Sequence, residues 1–156
     1  MSEAAIQKIL WTFKNRILQL EADPEIKYIL LFKNHGREAG ASIAHSHTQL
    51  IATPILPKRI EEELSGIQKH FNKTRRCIFC EVISEELQRQ ERLVSAHQYF
   101  VVFEPYASRF PYETWILPKQ HQHRFEDIDE IHIVELASVL KQSLQRIMAA
   151  MNNPAW

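Results

Sequence analysis

The chain has 156 residues, 45% of them apolar and 24% charged, with 19 basic and 19 acidic side chains and no formal net charge. That size fits one ordinary domain or parts of two smaller ones, with the composition of a soluble globular protein. A balanced charge argues against nucleic acid or an acidic membrane as partner. No signal peptide is evident, and no apolar run nears the roughly 20 residues that span a bilayer.

In chain order, residues 3–22 place Ile6, Ile9, Leu10, Phe13, Ile17 and Leu18 near helical spacing with Lys and Arg between them, which predicts an amphipathic helix. "DPEIKYILLFKN" predicts a turn and then an apolar strand over 26–32. "NHGREAGAS" is a polar loop carrying Gly36 and Gly40. "HSHTQLIATPIL" predicts a second strand, ended by Pro54 and Pro57. Residues 58–75 read as an exposed connector helix, with Glu61, Glu62 and Glu63 on a solvated face.

A second block opens at "CIFC", with a short helix followed by strands near 92–96, 99–104 and 112–117. Tyr99, Phe100, Phe103, Tyr106, Phe110, Tyr112 and Trp115 alternate at strand spacing and are expected in the core, while His70, His97 and His132 read as ordinary surface or edge residues. An amphipathic helix over 129–151 leads to "MNNPAW". That ending resembles the turn after the first helix, so we expect a weak internal repeat, offset so that the chain begins and ends inside repeats.

Two motifs carry chemistry. On a strand, residues two apart share a face, so the sequence places His45, His47 and Gln49 in one row opposite a glycine loop. Backbone N–H groups of such a loop, with the Ser42 hydroxyl, suit a phosphate ester, and one imidazole is then free to act as nucleophile. Two histidines bonded to backbone in a half-exposed strand is an equal alternative on spacing alone. Cys77 and Cys80 have zinc-type spacing, and "LPKQHQH" offers His121 or His123 as a further ligand. A redox pair, or two thiols buried as small apolar groups, are the other readings of that CxxC. A cytoplasmic, reducing setting is expected for it.

"FKNHGREAGASIAHSHTQLIATPILP" resembles the active-site segment of the galactose-1-phosphate uridylyltransferases and the related ADP-glucose phosphorylases, in the histidine triad (HIT) superfamily. Asn34, Gly36, Gly40, Ser42, His45, His47 and Gln49 fall on the family pattern, and "CIFC" with "FPYETWILPKQH" resembles the opening of the family's second repeat. The resemblance implies an α+β, HIT-like fold of antiparallel sheet and packed helices, with incomplete or permuted repeats. It implies that His47 attacks the α-phosphorus of a nucleotide sugar, that a nucleotidyl-histidine forms, and that a sugar 1-phosphate or inorganic phosphate then takes the nucleotide. Asn34, Gly40, Ser42 and Gln49 would hold the phosphate, and His45 together with Cys77, Cys80 and His121 would be zinc ligands. His121 is preferred to His123 because it keeps the P-x-x-H register.

Gln49 stands where HIT hydrolases carry a third histidine. An amide hydrogen-bonds but cannot shuttle a proton, which favours transfer over hydrolysis. The resemblance divides the chain into residues 1–57 (second half of one repeat), a connector at 58–75, and residues 76–156 (first half of the next). The zinc site of His45 lacks its earlier CxxC, and the second site lacks a later histidine. We therefore expect the middle of a longer protein, or a permuted site in which Cys77, Cys80 and His121 meet His45. An enzyme of the uridylyltransferase type, a nucleotide-sugar phosphorylase, and an inactive zinc-stabilised nucleotide-binding module remain the rival expectations, with a homodimer possible.

Overall fold

The computed structural model describes residues 1–41, 47–152 and 154–155. Helix α1 spans Glu3–Glu21, and the Ser2 side chain caps it by accepting the Ala5 N–H at 3.2 Å. Strands β1 (Tyr28–Phe32) and β2 (Gln49–Thr53) form a two-stranded antiparallel sheet, joined by a loop with a 3-10 turn at Arg37–Ala39. Helix α2 spans Lys58–Thr74 and α3 spans Ile78–Arg89. Strands β3 (Leu93–Ala96), β4 (Phe100–Phe103) and β5 (Trp115–Pro118) make an antiparallel sheet in that order. A 3-10 turn at Phe125–Asp127 precedes α4, Glu130–Ala150. This is the expected α+β architecture of antiparallel sheet and packed helices. Among the described residues, no helix is long and apolar enough to cross a membrane.

The core is layered about β4, whose four residues are all buried. Being paired on both edges and covered on both faces, it reads as an uninterrupted apolar run. Phe100 and Val102 face one way, toward Ile6 and Leu10 of α1 and Ile133 and Ala137 of α4. Val101 and Phe103 face the other way, toward Ile83 of α3. Glu135 fastens α4 to the sheet: its carboxylate accepts the N–H groups of Gln98, Tyr99 and Phe100 at 3.0, 2.7 and 3.1 Å. Three charge-assisted bonds from consecutive amides fix the β3–β4 turn against the helix.

The β1–β2 sheet is less supported. Leu30 and Ile51 pair across it and stay 40% and 46% exposed. On the opposite face, Ile29 and Leu31 border a hollow of about 360 Å³ that also meets Ile17 of α1 and Phe125.

Three expectations need correction. The second strand begins at Gln49, so His47 precedes the ladder rather than lying within it; the last pair is Phe32↔Gln49, because β1 ends there and its chain turns away into the loop. Tyr106, Phe110 and Tyr112 are 87%, 57% and 46% exposed, on a loop between β4 and β5 rather than in the core. Pro105 precedes that segment and Pro111 interrupts it, and neither can donate to a ladder. His132 is not a surface residue: its ring packs on Tyr99 at 4.4 Å and its Nδ1 lies 2.6 Å from Asp129. His70 likewise ties α2 to α3, with Nε2 2.6 Å from the Glu81 carboxylate.

Candidate functional site

The loop after β1 relies on two glycines with positive φ, of which Gly40 is in the left-handed helical conformation. Gly36 has φ +85° and Gly40 φ +84°, conformations that a Cβ disfavours. The Gly40 N–H bonds back to the Arg37 carbonyl at 3.0 Å, and the Ala41 N–H to the Gly36 carbonyl at 3.2 Å, so the loop is a compact return. A Cβ at Gly40 would lie 3.5 Å from the Asn34 amide nitrogen, which places that side chain directly against the bend. A Cβ at Gly36 would come within 2.8 Å of Ala155, a contact that admits only glycine.

His47 and Gln49 sit at the same end of the hairpin as this loop, since Gln49 pairs with the last residue of β1. Both are half-buried. Lys33 donates from Nζ to the His47 carbonyl oxygen at 3.1 Å, fixing the main chain just before β2. Sequence reasoning did not single out Lys33; its place immediately after the apolar run of β1 was the available signal. Asn34, Gly40, His47 and Gln49 are thus brought to one end of the small sheet, whereas Ser42 and His45 lie outside the described residues.

The second group forms where α3 begins and β5 ends. Cys77 is the residue before α3, Cys80 lies in its first turn, and His121 follows β5 by three residues. Their Sγ and ring-nitrogen atoms all lie within 4.8 Å of one another, and Cys80 Sγ is 3.3 Å from His121 Nδ1. Both cysteines are free and half-buried. Burial raises the Cys80 thiol above its ordinary value, and the neighbouring Cys77 adds to that shift. A cation reverses the balance by stabilising thiolate.

The donor set fits zinc. Tetrahedral Zn–S and Zn–N bonds of about 2.3 and 2.0 Å place ligand atoms roughly 3.5–3.8 Å apart, close to the spacing of this trio, whose donor atoms lie within 4.8 Å of one another. Among the described residues, His121 and not His123 joins the cysteines. His123 instead lines an apolar hollow of about 230 Å³ with Phe100, Ile116 and Leu136.

Comparison with known proteins gives the following. Residues 63–150 match the family described as galactose-1-phosphate uridyl transferase, C-terminal domain. Residues 1–55 match one described as domain of unknown function (DUF4931), N-terminal domain. An ADP-glucose phosphorylase of Arabidopsis thaliana is 36% identical over 97% of this chain and 42% of its own length. A galactose-1-phosphate uridylyltransferase of Thermotoga maritima is 38% identical over 87% of this chain and 42% of its own. The crystal structure of an ADP-glucose phosphorylase from Arabidopsis thaliana with bound ADP-glucose superposes with a TM-score of 0.91 at 34% identity, covering 99% of this chain and 49% of that one. A uridylyltransferase structure gives 0.92 at 27% identity, with coverage of 99% and 48%. The chain therefore spans half or less of the proteins it matches.

Proposed function

Because the chain belongs to the galactose-1-phosphate uridyl transferase C-terminal domain family, we propose that it carries the nucleotidyl-transfer segment of an enzyme acting on nucleotide sugars. An imidazole nitrogen of His47 attacks the α-phosphorus. The bond from that phosphorus to the bridging oxygen breaks, and sugar 1-phosphate leaves with the electron pair. An oxygen of a second phosphate then attacks the same phosphorus, the P–N bond breaks, and the imidazole is restored. Asn34 and Ser42 on the loop and Gln49 on β2 hold the phosphoryl oxygens as charge develops on them, while Gly40, whose N–H is taken by the Arg37 carbonyl, shapes the phosphate-binding bend beside Asn34.

The observation that carries this reading is the convergence of Asn34, Gly40, His47 and Gln49 on one end of the β1–β2 sheet. A hexose 1-phosphate as second acceptor makes the reaction a uridylyltransferase's; inorganic phosphate makes it a phosphorylase's. Gln49 supports either over hydrolysis, since an amide offers water no proton relay. Residues 1–57 and 76–156 are then halves of successive repeats joined by α2. Zinc on Cys77, Cys80 and His121, with His45 on metal as well, supplies a structural brace rather than a reactant. Free cysteines at such a site suit the reducing cytoplasm.

The test is to incubate the protein with UDP-glucose or ADP-glucose labelled in the α-phosphate and look for acid-labile, protein-bound label. Label that disappears in His47→Ala supports the reading. No label from either donor, or label unchanged in His47→Ala, overturns it.

A further inference from the structure

We propose, resting on the nucleotidyl-transfer reading of the site, that Lys33 is a positioning residue for His47. Its Nζ donates to the His47 carbonyl oxygen at 3.1 Å, and that bond aims the imidazole at the α-phosphorus. The ladder between β1 and β2 closes at Phe32↔Gln49, two residues short of His47. Main chain at such a place turns about its own torsions unless a bond from outside the ladder holds it. Lys33 supplies that bond from 14 residues earlier in the sequence.

Lys33 acts as a strut across the open end of the hairpin. It follows Phe32 directly, so its backbone is carried by the last rung of β1 while its stem reaches the incoming chain of β2. Both residues are half-buried, and a charge-assisted bond removed in part from water holds more firmly than a neutral, solvated one. Fixing the carbonyl fixes the peptide plane between His47 and Thr48, and with it the Cα from which the imidazole hangs. Asn34, the next residue, stands against the Gly40 bend. Consecutive residues at the exit of β1 thus align the nucleophile with the phosphate-binding loop. The need is real here, because Leu30 and Ile51 leave one face of this sheet exposed and packing alone does not immobilise its end. Attack requires nitrogen and phosphorus in line at roughly 3–3.5 Å, and a displacement of about 1 Å costs on the order of 10²-fold in rate.

The test measures, by rapid quench, how fast the 156-residue chain takes label from UDP-glucose or ADP-glucose labelled in the α-phosphate, over a range of donor concentrations. Lys33→Met keeps the apolar stem and loses the donor. Its plateau rate should fall at least about tenfold while the half-saturating donor concentration moves less than about threefold, the split expected when attack and not donor binding is impaired. Lys33→Arg, which still donates, should keep at least about a third of the wild-type plateau. Circular dichroism of both variants should match wild type. A smaller loss of plateau rate in Lys33→Met, a loss that falls on half-saturation instead, or an equal loss in Lys33→Arg overturns the role of Lys33 and leaves the transfer reading standing. Wild-type protein that takes no label overturns both.

Discussion

Cys80 Sγ and His121 Nδ1 stand 3.3 Å apart across 41 residues of sequence. The two are carried by different elements, the first turn of α3 and the segment after β5, so their meeting is a product of the fold. Purified protein is expected to hold one tightly bound zinc per chain by elemental analysis. Cys80→Ser and His121→Ala should each weaken it at least about tenfold, in line with loss of one of four ligands. His123→Ala should leave it unchanged. Zinc content of His45→Ala shows whether that residue supplies the fourth ligand.

Gln49→His should convert a stable labelled intermediate into a leaking one. An imidazole at that position offers the proton relay that an amide lacks, so label placed on His47 should be lost to water at least about tenfold faster. The measurement is the rate of label loss after removal of excess donor, with no acceptor phosphate present.

Glu135→Ala should destabilise the protein by on the order of 2–3 kcal/mol, because three amide donors at the β3–β4 turn lose a charged acceptor together. Glu135→Gln should recover part of that, since its one oxygen still accepts. Urea denaturation followed by circular dichroism checks both.

Asp129 governs an acid-side transition. Its carboxylate caps α4 by accepting the His132 N–H at 2.9 Å, and that backbone bond, followed by the bond to the His132 ring, holds its pKa below the ordinary carboxylate value. The unfolded chain releases that bias, so the stabilising contribution is present above the unfolded value near about 4 and is lost as pH falls through the lower folded value. Asp129→Asn, which still caps but does not titrate, should flatten the melting temperature between pH 4.5 and 2.5 relative to wild type, on the order of the range over which such a group protonates.

What the sequence made legible was local. The continuous apolar run of β4, the Pro54 stop after β2, the periodicity of α1 and α4, and the CxxC with its P-x-x-H partner all signal through neighbouring residues. What it hid was decided at a distance. The start of β2 depends on where β1 ends, so His47 and Gln49 looked like one continuous strand when, of the two, only Gln49 is paired. Tyr106, Phe110 and Tyr112 alternate as strand residues do, yet the prolines among them and the left-handed Tyr112, at φ +62°, turn the segment outward. The Glu135 clamp and the Lys33 bond to His47 each join side chain to main chain across the fold, and no periodicity announces them.

The two sheets differ in more than size. Every residue of β4 must break ladders on two edges and leave two packed faces before its amides meet water. In the β1–β2 hairpin each strand has one partner, one face looks to solvent, and the other borders a hollow. Local opening is therefore cheapest in the hairpin, whose amides should exchange hydrogen well ahead of those in β4. The end of the chain's least anchored sheet is the one that carries His47 and Gln49, so movement there costs little, while the cysteine–histidine group rests on the part of the molecule that opens last.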